Sequence, residues 1–282
     1  MINVTRHRSP LARQLGFSFG LLLLVALLVP ALSLAGPVAA PAVRGDLGDA
    51  PDSSNHFGVG MTAYPGIKAF FPNVFDPATG LPQGPLHLNV KKDSWLGRDI
   101  SAEYDADLLA DADGITNLAP PANSPNRDRY DDGVFTLSPT INLPQCKPTQ
   151  FRYIVTGAPL IPAHGAYVNV WFDFNRDGDW ADKFQCQTST GVFTVYEWAV
   201  QNQVVAVVPG SVVKSTPLFR SFHSSTIPMS WMRITLSETK APLAPSGLAD
   251  GRGPAYGYRT GESEDYLLKL CTSCPAGTYS GS

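Results

Sequence analysis

From about residue 150 the chain alternates between apolar and polar positions. Phe151, Tyr153 and Val155 alternate with Arg152 and Ile154, and residues 167–174 alternate strictly, with Val168, Val170, Phe172 and Phe174 on one face. Val192 and Thr194 follow, and Val204–Val208 is a continuous Val-rich run stopped by Pro209 and Gly210. Trp231–Leu236 alternates again, and Tyr266–Leu270 is the last such run. Short runs rich in Val, Ile, Tyr, Phe and Trp, bounded by Gly and Pro, are strands. Several of them with no helical period between predict an all-β fold, an antiparallel β-sandwich over residues 141–270.

Residues 46–140 read differently. They carry turns and acidic clusters, no sustained period, and one short helical candidate, Ser101–Leu109. This predicts a loop-rich acidic region that packs on the sandwich. Its shortage of apolar runs predicts that the sandwich folds without drawing core residues from it.

The first 35 residues stand apart. Arg6, Arg8 and Arg13 precede an apolar run from Leu15 to Leu34, and Ser33-Leu34-Ala35 has the small-x-small form of a cleavage site. That is a secretory signal, with an uncleaved anchor helix as the alternative, since roughly 20 apolar residues span a bilayer. An Ala/Pro/Val linker, 36–45, follows. The expected location is therefore secreted or cell-surface, with no membrane insertion beyond the signal or anchor. Loss of the three arginines takes the net charge from −3 to −6, which argues against nucleic acid as a partner. Gly and Pro number 25 each, in keeping with many turns and few helices.

The chemistry begins where the longest alternating run ends. Asp173, Asn175, Asp177 and Asp179 fall on alternate positions with Gly178 among them, and Asp182 follows. This spacing matches the first half of a calcium loop, D-x-[DN]-x-[DN]-G. A hard cation takes 6–8 oxygens, and alternate side chains of a curled loop supply them. The twelfth position is Phe184, not a bidentate Glu, and a strand precedes the loop, so this is no EF-hand. Further ligands must come from elsewhere, with Glu262 and Glu264 as candidates. The alternative is a polar hairpin turn. Asp105, Asp107, Asp111 and Asp113 form a possible second calcium site. His56, His87, His164 and His223 have no metal-ligand spacing, and hydrogen-bonding or surface roles are expected.

A strand ending in D-x-N-x-D-G-x-W (Asp173–Trp180), then Val207-Val208-Pro209, then Trp231–Leu236, then G-E-x-E-D-Y (Gly261–Tyr266), resembles the GEVED domain family. Ser263 stands where the family has Val. Gly48–Ser53 resembles the G-D-A-P-D-S opening of chains carrying this module, and Asp131–Val134 resembles the D-E-D-G-V ahead of the sandwich. The resemblance implies a non-catalytic β-sandwich module of secreted or surface-attached bacterial proteins. The resemblance supplies no ligand; from the expected location, the partner would be an extracellular protein or glycan.

The remaining chemistry is sparse. Cys271–Ser280 is similar to the start of an ephrin-receptor-like cysteine-rich repeat, so 271–282 is expected to be that start or a loose tail. Of the four cysteines, Cys146, Cys186, Cys271 and Cys274, the first two flank predicted strands and are expected to pair. Nothing matches a nucleophile elbow, a zinc motif or a phosphate loop. Two other functions remain open. One is a glycoside hydrolase using Glu262 or Glu264. The other is a carbohydrate-binding module stacking sugars on Trp95, Trp180 or Trp198.

Overall fold

The computed structural model describes residues 45–54, 61–76, 79, 81–100, 102, 130–134, 140–222 and 229–271, the side chains of 140 and 269–271 excepted. The signal segment, linker residues 36–44, the tail beyond residue 271 and the expected helix at Ser101–Leu109, residue 102 apart, lie outside them. Among the described residues every regular element is a strand.

In chain order, β1 (Thr62–Tyr64) and β2 (Ile67–Lys68) form a hairpin, and β3 (Ser94–Leu96) and β4 (Thr140–Asn142) follow. Next come β5 (Pro148–Thr149), β6 (Arg152–Gly157) and β7 (His164–Phe172), then the hairpin of β8 (Lys183–Thr188) and β9 (Gly191–Tyr196). The chain continues through β10 (Trp198–Val207), β11 (Gly210–Ser215), β12 (Phe219–Arg220), β13 (Met229–Ser237) and β14 (Gly261–Cys271). A five-stranded sheet, β10-β7-β13-β14-β4, faces a three-stranded sheet, β11-β6-β3. All pairings are antiparallel except β14 with β4.

Alternation sets what each face buries. Val168, Val170 and Phe172 of β7, Met232, Ile234 and Leu236 of β13, and Tyr266 and Leu268 of β14 share the inner face. They pack against Tyr153 and Val155 of β6 and Leu96 of β3. The register Ile234↔Val170 and Leu236↔Val168 keeps these rows aligned. Cys146 and Cys186 form a disulfide with Cα atoms 5.5 Å apart, tying the segment before β5 to β8.

One expectation changes. The sandwich does draw on the first half: β3 pairs with β6, and Leu96 is fully buried in the shared core. Three residues carry too little alternation to register as a strand, so β3 is legible only once β6 is in place. The first half also covers the outer face of the large sheet. In a two-layer sandwich that face would meet water. Here Asn169, Thr235, Arg233, Ser263 and Asp265 lie on it and are buried. A second apolar cluster covers it, in which Ala50, Met61, Ala63, Tyr64 and Phe71 meet Trp171, Trp198 and Trp231. The indole N–H groups of these tryptophans find acceptors: Trp171 donates to Ala249 O at 2.9 Å, Trp231 to Ala63 O at 3.0 Å and Trp198 to Asn169 Oδ1 at 2.9 Å. The molecule is thus layered, with irregular chain as its third layer.

Leu96→Ala should therefore destabilise by about 2–5 kcal/mol, the range for deleting a fully buried leucine side chain. Urea denaturation checks it, and a loss below about 1 kcal/mol would show that the first half is not part of the core.

Candidate functional site

β7 ends at Phe172, and the chain turns through residues 173–182 before β8. The turn is held from two sides. Asp173 accepts from Arg176 N at 2.6 Å and from Gly178 N at 3.1 Å. Gly178 has φ +97°, and a Cβ there would collide with Lys68 O, so glycine is required by both backbone and space. Arg176 also adopts positive φ and lays its guanidinium 4.1 Å from the Tyr64 ring centre. From the other side Glu197, between β9 and β10, clasps both ends. Its carboxylate accepts from Phe174 N at 2.8 Å and from Asp182 N at 3.1 Å. Its backbone N–H donates to Asp182 O, and its carbonyl accepts from Phe172 N.

Within this frame Asp177, Asp179 and Asp182 converge, each offering an oxygen within 4.8 Å of the others. Asn175 sits among them, its amide donating to Asp177 Oδ2 at 2.8 Å and to Asp182 Oδ2 at 2.6 Å. The spacing thus brings four of the five predicted loop residues together, while Asp173 braces the turn. Burial and the neighbouring Asp177 push the Asp173 carboxyl up to about 7. Burial and the Asp173 charge push Glu197 up to about 10. Asp179 and Asp182 are raised too, by partial burial and by the acids around them. A site of this kind favours whatever neutralises it, whether protons or a cation.

Glu262 and Glu264 meet other partners. On β14 they share the inner face, and each carboxylate accepts backbone N–H groups of the first half. Glu262 takes Leu96 N at 2.6 Å, and Glu264 takes Gly133 N at 2.8 Å and Asp132 N at 3.1 Å. Tyr266 donates to Glu264 and accepts from Val134 N. A Cβ on Gly133 would strike the Glu264 carboxylate, so D-D-G-V and G-E-S-E-D-Y are two halves of one contact.

The next residue faces the other way. Asp265 forms a bidentate pair with Arg233, directly opposite on β13, at 2.7 and 2.6 Å. Both side chains are fully buried. Asp265 also accepts from Ala50 N, and Arg233 donates to Pro72 O and Gly251 O and lies 4.8 Å from the Trp180 ring centre. Ser263 belongs to a buried chain: it meets Thr235 Oγ1 at 2.8 Å and His87 Nε2 at 3.1 Å, and His87 Nδ1 reaches Thr260 O at 3.1 Å. A carbonyl only accepts, so Nδ1 carries the proton and Nε2 accepts from the serine. Burial drives His87 down to about 3, so it is neutral.

Sequence reasoning missed Glu197 and the partners of His87. For Glu197 a signal exists: it is an acid inside the apolar run Val195–Val200. For His87 there is none, because its partners lie more than 170 residues away. Of the three tryptophans expected as a platform, Trp180 and Trp198 are buried, the first only 1 % exposed, which closes their ring faces to a sugar, while Trp95 on β3 is half-buried. Asp105, Asp107, Asp111, Asp113 and Cys274 lie outside the described residues, and Cys271 is described by its backbone alone.

Against known proteins, residues 167–269 match the family model of the GEVED domain. The match opens within β7 and closes within β14, and so takes in the loop, Glu197, Arg233 and the closing acids. No curated protein matches the chain.

Two outcomes follow. Arg233→Met should cost about 3–5 kcal/mol, because it leaves the Asp265 charge buried without its cation. A double variant with Asp265→Leu should recover part of that loss in the same denaturation assay. For His87 the sign is fixed by its lowered value. The unfolded chain takes up a proton near pH 6.5 and the folded chain does not, so this group's contribution falls as pH drops from about 6.5 towards 3. Asp173 and Glu197 are raised and act in the opposite sense, losing stability as pH rises. The stability difference between wild type and His87→Gln cancels those carboxyls. It should shrink by up to about 1.4 kcal/mol per pH unit below 6.5, and a difference constant between pH 7 and 5 would show that His87 takes up its proton as readily in the folded chain as in the unfolded one.

Proposed function

We propose that this protein is an exported, non-catalytic β-sandwich module, stabilised by calcium in the 173–182 loop, that serves binding or spacing at a cell surface. The observation that carries the non-catalytic reading is the engagement of the closing acids. Glu262, Glu264 and Asp265 are buried and hold backbone N–H groups of residues 96, 132–133 and 50. A glycosidase needs a carboxyl pair flanking a bound sugar, and these carboxylates face protein on both sides of the sheet. The GEVED match over residues 167–269 is compatible with this reading.

Calcium is supported by the donor set. Asp177, Asp179 and Asp182 are hard oxygen donors already within 4.8 Å of one another, and Asn175 offers an amide oxygen once its side chain turns. The amide that now bridges Asp177 and Asp182 occupies the position a cation would neutralise more fully. Export is supported by the N-terminal pattern and by the Cys146–Cys186 disulfide, which suits an oxidising compartment. The partner on this reading is an extracellular protein or a glycan.

Calorimetric unfolding of residues 36–282 tests the metal. Calcium at about 100 times Kd should add about 2.7 kcal/mol, seen as a rise in Tm that chelator reverses. Asp177→Ala should remove the calcium increment and leave the Tm in chelator at or above that of wild type, because one of the repelling charges is gone. A wild-type Tm identical in calcium and in chelator would sink the calcium claim.

A further inference from the structure

Beside the acidic loop lies a cavity of about 250 Å³, walled by three separate parts of the chain. Asp179 and Trp180 come from the 173–182 loop, Phe70 and Gln83 from the irregular layer, and Asp250 and Arg252 from the segment ahead of β14. We propose that this cleft binds one pyranose ring of a glycan or free sugar. The inference rests on the reading of the protein as a binding module and gives it a ligand class and a place.

Size and wall chemistry carry it. Drug-sized pockets run from about 300 to 1,000 Å³, so this cleft has room for a single ring but not for an oligosaccharide or a folded peptide. Phe70 is 44 % exposed, unlike the buried tryptophans, and offers an apolar face for the C–H side of a sugar. Opposite in character are the planar polar groups. Arg252 Nε lies 2.8 and 2.9 Å from the two Asp250 oxygens, and its Nη2 lies 2.6 Å from Oδ2. That pairing fixes the guanidinium and leaves its outer N–H groups as oriented donors. Gln83 adds an amide that both donates and accepts, and Asp179 adds an acceptor. Each sugar hydroxyl both donates and accepts, and this mixed wall meets it on both counts. Trp180, also in the wall, is 1 % exposed, and its buried indole N–H has no hydrogen-bond partner among the described residues.

Charge narrows the class further. With the 173–182 loop free of calcium, Asp179 and Asp250 against Arg252 make the cleft net negative, which disfavours phosphate, sulfate and acidic sugars. A neutral polyol remains.

Ligand-observed and ¹⁵N-resolved NMR of the full chain, titrated with a panel of neutral methyl pyranosides, tests the proposal. A parallel glycan array separates a free sugar from the terminal residue of a polymer. At least one pyranoside or glycan should bind and perturb the amides of Phe70, Gln83 and Arg252. Phe70→Ala and Arg252→Met, both at partly exposed positions, should each weaken binding at least tenfold while retaining the wild-type unfolding transition. Silence across both panels, or binding that these two variants leave unchanged, would overturn the assignment. The titration is expected to succeed in chelator as well as in calcium, because the walls are protein side chains. A missing calcium response in calorimetry therefore leaves this result standing, and silent sugars leave the calorimetry standing.

Discussion

Arg233 is a cation placed in the middle of a sheet with no access to water, and the rest of the molecule is arranged around that fact. Taking a charge out of water costs several kcal/mol, and the loss is recovered only when a counter-ion and further acceptors meet it in good geometry. No single strand can provide all of these. Asp265 supplies the counter-ion from β14, Pro72 and Gly251 supply carbonyls from two irregular segments, and Trp180 of the acidic loop supplies an aromatic face. Four stretches distant in sequence must be in place at once for this one side chain to be tolerated. That requirement favours a single arrangement of the irregular layer over many loosely packed ones.

The same logic accounts for a layer with so little regular structure. Backbone N–H groups buried outside a sheet or helix must still be paired. In this protein β14 pairs many of them with side chains. Glu262 reaches Leu96 N, Glu264 reaches Asp132 and Gly133 N, and Asp265 reaches Ala50 N. Carboxylates suit the task because each has two oxygens and several lone pairs, and bonds to an ionised acceptor are stronger than neutral ones. Alternation along the strand sends Glu262 and Glu264 to one face and Asp265 to the other. A single six-residue motif thereby anchors irregular chain on both sides of the sheet.

This explains what was legible in the sequence and what was not. Val168, Val170 and Phe172 announce their strand and face because period-2 alternation is a local signal. The D-x-N-x-D-G spacing announces a turn that gathers acids, and Asp177, Asp179 and Asp182 do converge. Roles fixed at long range left no such mark. The closing acids read as metal ligands or partners of arginine, well ahead of catalysts, and only the placing of the irregular layer separates the first two. Arg233 stands at an outward position that alternation alone would leave in water, and its burial follows from a cover more than 160 residues earlier in the chain. Trp180 and Trp198 are tryptophans of the same composition whether they stack sugars or fill a core, and only their burial separates the two.

The acidic loop and the buried pair are also mechanically joined. Trp180 packs on Phe71 with ring centres 4.4 Å apart and lies over Arg233, while Asp179 and Asp182 on either side of it belong to the acid triad. Repulsion within the triad pushes outward on the strip of chain that holds this indole in place. A proton or cation that relieves the repulsion therefore does more than settle a surface turn, because it also secures one wall around Arg233. Glu197 works to the same end from beneath by fixing Phe174 and Asp182, the two shoulders of the loop. Neutralising the acids of this loop can in this way reach the global stability of the domain, through the indole that the loop and the buried cation share.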